Sequence, residues 1–290
     1  MRMSMNKTSL SRLTKVRHRN ELNSTLSTLP MAAKKVLFLA MSQINSKNEF
    51  DDDHIFYVNA SDYTKWVNVK PDAAYLALKD GANILDSVVL KLRNDEILDL
   101  SSELNLPFTS KNVPDSLNLS LTEFSAYYKN EGRVGIKFTN TAKRFLCKLV
   151  GSEKRYTTQV LLSVVRLSSV NSSSLYQLIR KIHSNNPRIM SFEMSVDELK
   201  EELNLYTIDS HGNKEYKYPE FPAFKRDVLN KSVKEIIKNT EIKELSFEVS
   251  GKIGRKVNTL KFTYSLESTE LPNEDSEFLD MFDKKFPPID

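Results

Sequence analysis

The sequence has too few cysteines for a disulfide framework and lacks the other signals of a secreted or membrane protein. Its one cysteine, Cys147, falls in the apolar run 145–150, so we expect this thiol to pack in a core. No run of about 18 apolar residues is present, which argues against a membrane-spanning helix. The first twenty residues lack the apolar core of a signal peptide. We therefore expect a cytoplasmic protein with no membrane partner.

The chain also lacks the side-chain groupings of common catalytic and metal sites. Its four histidines are scattered without ligand spacing, and no Gly-rich loop ending in Lys and Ser or Thr is present to hold ATP. A relaxase or nuclease would need a tyrosine beside clustered histidines, or grouped carboxylates that hold Mg²⁺. Tyr127 and Tyr128 have no such histidines nearby, and the acidic run 51–53 is typical of a solvated turn. We expect no catalytic residue, no metal, no cofactor and no enzymatic activity.

Charge is distributed unevenly along the chain. The whole chain carries +4, from 42 Lys and Arg against 38 Asp and Glu. Residues 267–290 hold eight acids and two lysines, so this tail carries −6 and residues 1–266 carry +10. A basic body suits a polyanionic partner, because each phosphate that is neutralised releases counterions. The acidic tail either competes with that partner or serves only solubility.

The length and composition suit two domains with a common plan. At 290 residues, with 40% apolar and 28% charged residues, the chain can bury two ordinary cores. Each half shows a long helix, a strand, a short helix after a serine, a helix started by proline, and a β-hairpin. Ser61 corresponds to Ser195 in this plan, and Pro71 corresponds to Pro222. We predict an α+β fold of two tandem winged-helix domains, each a helical bundle with a small antiparallel sheet or wing.

Hydrophobic periodicity and turn residues give the predicted bounds. The domains are predicted as a basic N-terminal tail 1–14, a first domain 15–150, a second domain 151–266 and an acidic, disordered tail 267–290. Helices are predicted over 19–28, 30–45, 61–66, 71–85, 156–168, 172–183, 196–205 and 222–239. Strands are predicted over 54–58, 87–92, 117–128, 133–138, 188–194, 245–249 and 259–266. Residues 195–198 form a predicted capping box, and a polar loop follows residue 205.

The block 218–231 is the strongest local indication of function. Two prolines stiffen its approach, and Pro222 falls where a helix begins. One face of that helix is apolar, whereas the other carries Arg226, Asn230, Lys231, Lys234 and Lys238. A hairpin with a basic tip at 255–256 follows, which is the layout of a winged helix whose helix enters a major groove. The alternative is an ordinary solvated lysine face, but the second copy of this layout around Pro71 favours DNA binding.

Several segments resemble those of iteron-binding plasmid replication initiators. The matching segments are 15–23, 29–30, 34–36, 137–139, 156–159, 166–169, 172–180, 195–203 and 217–231. They span roughly residues 14–266. The segment Leu-Tyr-Gln-Leu-Ile-Arg at 175–180 and the proline-led block are specific in combination, although neither is specific alone.

The resemblance implies a protein that binds repeated sites, called iterons, at a plasmid origin. In the family both winged helices engage one iteron, in successive major grooves of double-stranded DNA. Monomers open the adjacent A·T-rich DNA and recruit the host replication initiator, the replicative helicase and primase. Dimers joined through the first domain repress the initiator's own promoter. The alternative is a tandem winged-helix transcription regulator without replication activity, which would bind a single operator rather than repeats.

The resemblance also implies which residues contact DNA. In the second domain Lys225, Arg226 and Asn230 match the helix that enters the groove, here called the reading helix, with Lys231 and Lys234 beside them. Arg255 and Lys256 match the wing, and the basic start of the matched region adds Arg17 and Arg19. The reading helix of the first domain would be 71–85, which turns outward Asp72, Tyr75, Leu76, Lys79 and Asn83. Leu76 stands where relatives have a basic residue, so its base contact could only be apolar, for example to a thymine methyl group.

The dimer contact is the least determined part of this prediction. The candidate is the first-domain sheet near 88–92 and 117–128. Alternating Leu117, Leu119 and Leu121 would give that sheet one apolar face. The same alternation is equally explained by the core of the domain itself.

Overall fold

The computed structural model describes residue 11, residues 14–150 and residues 155–267. The predicted tails lie almost wholly outside the described residues, and so does most of the predicted domain boundary at 151–154. No helix in the described part of the chain is long and apolar enough to cross a membrane.

The first half of the chain packs six helices around small antiparallel sheets. The helices are α1 (Leu22–Thr28), α2 (Met31–Met41), α3 (Ala60–Val67), α4 (Pro71–Leu85), α5 (Asn94–Ser101) and α6 (Asn140–Leu146). The strands are β1 (Lys15–Arg19), β2 (Phe56–Asn59), β3 (Val89–Arg93), β4 (Ser116–Ser120), β5 (Thr122–Tyr128) and β6 (Arg133–Phe138). Strands β2, β6 and β5 form one sheet in that order, while β3 and β4 pair separately. Helix α2 is buried nearly all round and packs against α4, so it forms the centre of this half.

The second half repeats this arrangement with a longer hairpin. Its helices are α7 (Leu161–Arg166), α8 (Val170–Asn185), α9 (Val196–Glu202), α10 (Phe221–Phe224), a π-helical segment (Lys225–Leu229) and α11 (Asn230–Asn239). Its strands are β7 (Tyr156–Val160), β8 (Ser191–Ser195), β9 (Tyr206–Ile208), β10 (Lys214–Tyr216), β11 (Ile242–Ile253) and β12 (Lys256–Leu266). The main sheet has the order β11, β12, β8, and β9 pairs with β10. Buried apolar side chains form one continuous core across both halves.

Local sequence signals explain where several helices begin. Ser195 Oγ accepts a hydrogen bond from the Glu198 amide at 3.2 Å, and Glu198 Oε2 accepts one from the Ser195 amide at 3.0 Å, so the predicted capping box is confirmed. Pro71 starts α4 as predicted, because its fixed φ suits a first helical turn. The predicted cap at Ser61 is wrong: α3 begins at Ala60, and Asn59 holds the cap position without accepting a capping hydrogen bond from a backbone amide.

The helices predicted over 19–28 and 156–168 are wrong at their N-terminal ends. Residues 15–19 and 156–160 are instead strands β1 and β7, which pair antiparallel with Arg17 opposite Thr158. His18 and Gln159 are buried between them, with His18 Nε2 and Gln159 Nε2 2.9 Å apart. Burial lowers the pKa of His18 to about 4, so this imidazole is neutral at pH 7. Residues 15–19 are therefore held by a strand from the second half of the chain.

Three further segments differ from prediction. The strand predicted over 117–128 is two strands, β4 and β5, separated at Leu121, which is buried. The hairpin around 130–132 is confirmed as β5 and β6. The polar loop predicted after residue 205 contains the short hairpin of β9 and β10. The helix predicted over 222–239 is interrupted by the π-helical segment, which the α-helical spacing of its apolar residues did not indicate.

Candidate nucleic-acid interface

The second-domain reading helix is anchored by buried apolar residues and exposes its polar ones. Phe224, Val228 and Leu229 are fully buried. Because these residues fix one face of the helix on the core, the side chains on the opposite face point outward. The structure exposes all five predicted contacts of this helix, namely Lys225, Arg226, Asn230, Lys231 and Lys234. These residues lie on the outward face of the helix, and their contact with DNA stays a prediction.

Among these cations lies an acidic residue, Asp227, which the sequence analysis did not single out. Arg226 donates from Nε to Asp227 Oδ1 at 3.1 Å and from Nη2 to Asp227 Oδ2 at 2.6 Å. Lys231 Nζ lies 3.5 Å from the same Oδ1. The hydrogen bond from Arg226 lowers the pKa of the Asp227 carboxyl, so this group stays charged. Asp227 is therefore the partner of the Arg226 guanidinium. An acidic residue between outward-facing cations was the sequence signal that could have indicated this ion pair.

The wing of the second domain projects beyond the rest of its sheet. Strand β8 pairs only with Thr259–Thr263 of β12, so the β11–β12 turn extends past the third strand. Gly254 takes a φ of +59° in that turn, a conformation that favours glycine. The predicted wing residues Arg255 and Lys256 are exposed at this tip. Lys225 Nζ lies 5.9 Å from the centre of the Phe247 ring of β11, which links the helix to the wing.

The first-domain reading helix presents a different surface. Asp72, Tyr75, Leu76, Lys79 and Asn83 are all exposed on α4, as predicted. Leu76 is 65% exposed and Tyr75 is 44% exposed. A large apolar side chain this exposed loses hydration favourably when a partner covers it. The opposite face packs closely on α2, because a Cβ at Gly81 would lie 2.7 Å from Val36 Cγ2.

The wing of the first domain is short, and its Arg133 is already paired. The β5–β6 turn contains Gly132 at a φ of +57°, and a Cβ there would lie 2.6 Å from Cε1 of Tyr75. Tyr75 therefore rests on this turn. Arg133 stacks 4.1 Å from the Tyr57 ring centre and pairs with Glu131 at 2.6 Å. This wing consequently offers less positive charge than the wing of the second domain.

The two predicted DNA contacts near the start of the chain, Arg17 and Arg19, differ in burial and in their partners. Arg19 is only 8% exposed and contacts Glu21 at 2.8 Å and Glu103 at 2.6 Å. Its guanidinium also lies 5.6 Å from the Phe145 ring centre. Since two carboxylates and a ring surround this cation, the structure does not support Arg19 as a phosphate contact. Arg17 is half-buried, with Nη1 3.4 Å from Ser46 Oγ.

No metal-binding group of three or more His, Cys, Asp or Glu occurs within the described residues. Cys147 is buried, and burial raises the pKa of its thiol, so it is a poor nucleophile. The exposed helices and the basic wing on a buried scaffold have the layout of a winged helix that lies on a duplex.

The chain matches known proteins along nearly its whole length. Two family models match it, "Initiator Replication protein, WH1" over residues 15–180 and "Initiator Rep protein, WH2" over residues 195–264. It is 45% identical to the PI protein of Escherichia coli over 292 residues, which covers 96% of each chain. It is also similar to the crystal structure of Pi initiator protein in complex with iteron DNA, with a TM-score of 0.81 and 44% identity over 89% of this chain and 100% of that chain. The predicted pair of winged-helix domains is confirmed, and the chain belongs to the initiator replication protein family.

Proposed function

We propose that this protein initiates plasmid replication by binding iterons, repeated sites in double-stranded DNA at an origin. The observation that carries the proposal is the pair of exposed reading helices on one scaffold, in a chain similar to an initiator solved on iteron DNA. An α-helix fits the major groove of B-DNA, and the wings lie beside these helices. The protein acts by binding and catalyses no reaction of its own in this scheme.

The second domain would supply most of the specific hydrogen bonds. Nε and Nη2 of Arg226 bond Asp227, and the other guanidinium edge, formed by Nη1 and Nη2, suits guanine O6 and N7. Asn230 is exposed one turn further on and suits adenine N6 and N7. Phosphate contacts position the helix without reading sequence. We assign them to the exposed cations Lys225, Lys231, Lys234, Arg255 and Lys256.

The first domain would read the other half of each iteron with less charge. Leu76 projects far enough to cover a thymine methyl group, and Tyr75 adds an aromatic surface beside it. Lys79 and Asn83 lie exposed further along α4 and would contact phosphate and base. Asp72 would face phosphates unfavourably. We therefore propose that this half-site is recognised mainly by apolar fit.

Further steps follow from the family resemblance. We propose that the bound protein helps to open adjacent A·T-rich DNA and recruits the host replication initiator, helicase and primase in the bacterial cytoplasm. We also propose that it exchanges between monomer and a homodimer that represses its own promoter. Leu117 and Leu119 are partly buried and pack on the core, which favours their role inside the domain. The division of the chain near residues 151–154 stays a prediction.

Footprinting on DNA that flanks the gene tests this proposal. We expect protected segments to recur about every two helical turns beside an A·T-rich stretch, because two reading helices occupy successive major grooves. A single protected palindrome at the promoter, with no repeats elsewhere, would contradict the initiator function and support a transcription regulator. Random duplex at matched salt is the control, since nonspecific binding depends strongly on salt.

A further inference from the structure

One short segment of the chain contacts the helix-turn-helix units of both domains. It is the corner between α7 and α8, residues 166–169, here called the corner. Arg166 Nε donates to the carbonyl oxygen of Trp66, in the last turn of α3, at 2.9 Å. Two residues later, the Ser168 amide and Oγ donate to Glu235 Oε1 of α11 at 2.7 Å and 2.6 Å. The corner therefore touches one helix from each domain.

The first-domain contact lies close to the start of the reading helix. Trp66 is buried, and five residues after it α4 begins at Pro71. Helices α3 and α4 pack against each other, and α3 also packs against α7. Because protein interiors are close-packed, a shift of the corner must shift α3 and with it α4.

Two contacts hold the second-domain reading helix against α7 and α8. Glu235 is fixed in the middle of α11 by the corner. Glu241, fully buried just after α11, accepts from Ser163 Oγ of α7 at 2.5 Å and from Tyr176 Oη of α8 at 2.9 Å. Arg180 Nη1 lies 3.2 Å from the same carboxylate. Hydrogen bonds to a charged carboxylate are short and strong, so α11 cannot rotate freely against α7 and α8.

The corner thus joins both reading helices through one rigid connection. The path runs from α4 to α3, through Arg166, Leu167 and Ser168, to Glu235 on α11. Leu167 is fully buried between the two polar contacts, which prevents the corner from swinging as a loop. None of these residues belongs to the predicted DNA contacts.

We propose that the corner sets the distance and rotation between the two reading helices, and so determines which half-site spacing within an iteron the protein accepts. Arg166, Ser168 and Glu235 are positioning residues for base recognition. This inference rests on the proposed iteron binding. It adds a spacing specificity that comes from protein contacts rather than from base contacts.

The test measures binding to one protected repeat from the footprint and to the same duplex with one base pair inserted at its centre. An inserted pair shifts one half-site along the axis and rotates it, so only one reading helix can dock without strain. We expect the insertion to weaken wild-type binding roughly 10- to 100-fold, the range of a lost specific base contact. Fluorescence anisotropy with both duplexes at matched salt gives this ratio.

Glu235→Ala removes both bonds from Ser168. We expect it to weaken binding to the native repeat and to reduce the penalty of the insertion to about threefold or less, well below the cost of one lost base contact. Glu248→Ala is the matched control, because it removes the same charge from an exposed site on β11. This control should keep the wild-type ratio between the two duplexes.

Arg166→Met acts on the first-domain side and keeps most of the side-chain volume. It should lower the ratio between affinities for the native and the inserted duplex in the same way. It provides the test if circular dichroism shows that Glu235→Ala is unfolded. A wild-type ratio in folded Glu235→Ala or Arg166→Met would overturn the inference while leaving iteron binding intact. If wild-type protein binds the repeat no better than random duplex, the proposed function itself fails, which is a distinguishable result.

Discussion

The two reading helices share a frame and differ in what they expose. In the first domain, α4 turns Leu76 and Tyr75 outward, and the adjacent wing keeps Arg133 on aromatic rings beside Glu131. In the second domain, the helix exposes a row of cations, and the wing ends in Arg255 and Lys256. One fold thus carries an apolar surface and a cationic surface in equivalent places.

This difference separates affinity for any duplex from discrimination between sequences, two tasks that DNA-binding proteins often combine. Cations gain affinity from any duplex, because phosphate neutralisation releases counterions whatever the sequence. An exposed leucine gains little from phosphates, but it can distinguish thymine by its methyl group. The second domain should therefore supply most of the affinity, and the first should add discrimination at low electrostatic cost.

The largest expected effect comes from Arg226→Ala. Loss of a bidentate base contact costs about 1–3 kcal/mol, so binding to the iteron should weaken roughly 10- to 100-fold. Binding to random duplex should change much less. Competition anisotropy at matched salt measures both values, with Lys238→Ala as a control for the loss of one exposed cation from the same helix. Equal losses on iteron and random duplex would show that Arg226 contacts only phosphate.

Replacing thymine with deoxyuracil tests the apolar half of the comparison. Removing one methyl group from a covered site costs about 0.8 kcal/mol, so each contacted thymine should weaken wild-type binding about fourfold when replaced. Leu76→Ala should bind the thymine and deoxyuracil duplexes equally. The control replaces thymine with deoxyuracil in the half-site of the second domain. There Leu76→Ala and wild type should lose the same amount of affinity. A full methyl effect in Leu76→Ala would remove Leu76 from base recognition.

Lys256→Ala tests whether the wing of the second domain positions the protein on the phosphate backbone without reading the base sequence. Binding to iteron and to random duplex should weaken by the same factor, on the order of threefold. The slope of log affinity against log salt should fall by about 1. Lys129→Ala, beside the turn of the first wing, should leave the slope nearly unchanged. A loss confined to the iteron would mean that the wing reads bases.

The smallest effect should follow removal of residues 268–290. Glu267 is kept because its amide bonds the Glu241 carbonyl at 2.9 Å and its carboxylate meets Lys243 Nζ at 2.8 Å. If the acidic tail competes with DNA, affinity for any duplex should rise a few-fold at low salt and converge with full-length protein at high salt. Unchanged affinity at low salt would leave the tail a solubility device.

Local chemistry made part of this structure predictable. Pro71 and the Ser195 capping box mark helix starts, since their effect depends on residues within one turn. The outward position of Arg226, Asn230, Lys231 and Lys234 followed from apolar spacing, whereas the outward residues of the first reading helix came from the family resemblance. These predictions required no knowledge of distant contacts.

Long-range contacts explain the failures. Strand β1 pairs with a segment some 140 residues later in the chain, as in Lys15 opposite Val160, so no local pattern distinguishes it from a helix. Arg19 looked like a surface cation because its partner Glu103 lies 84 residues away. The π-helical segment depends on packing that spacing rules do not describe.

The pairing of β1 with β7 also has a consequence for synthesis. Residues 15–19 leave the ribosome well before their partner strand, which ends at Val160. At roughly 5–20 residues per second, β1 waits on the order of 10 s without its partner. During that time its edge can pair with other chains, so crowded translation of this protein favours misassembly until the second half arrives.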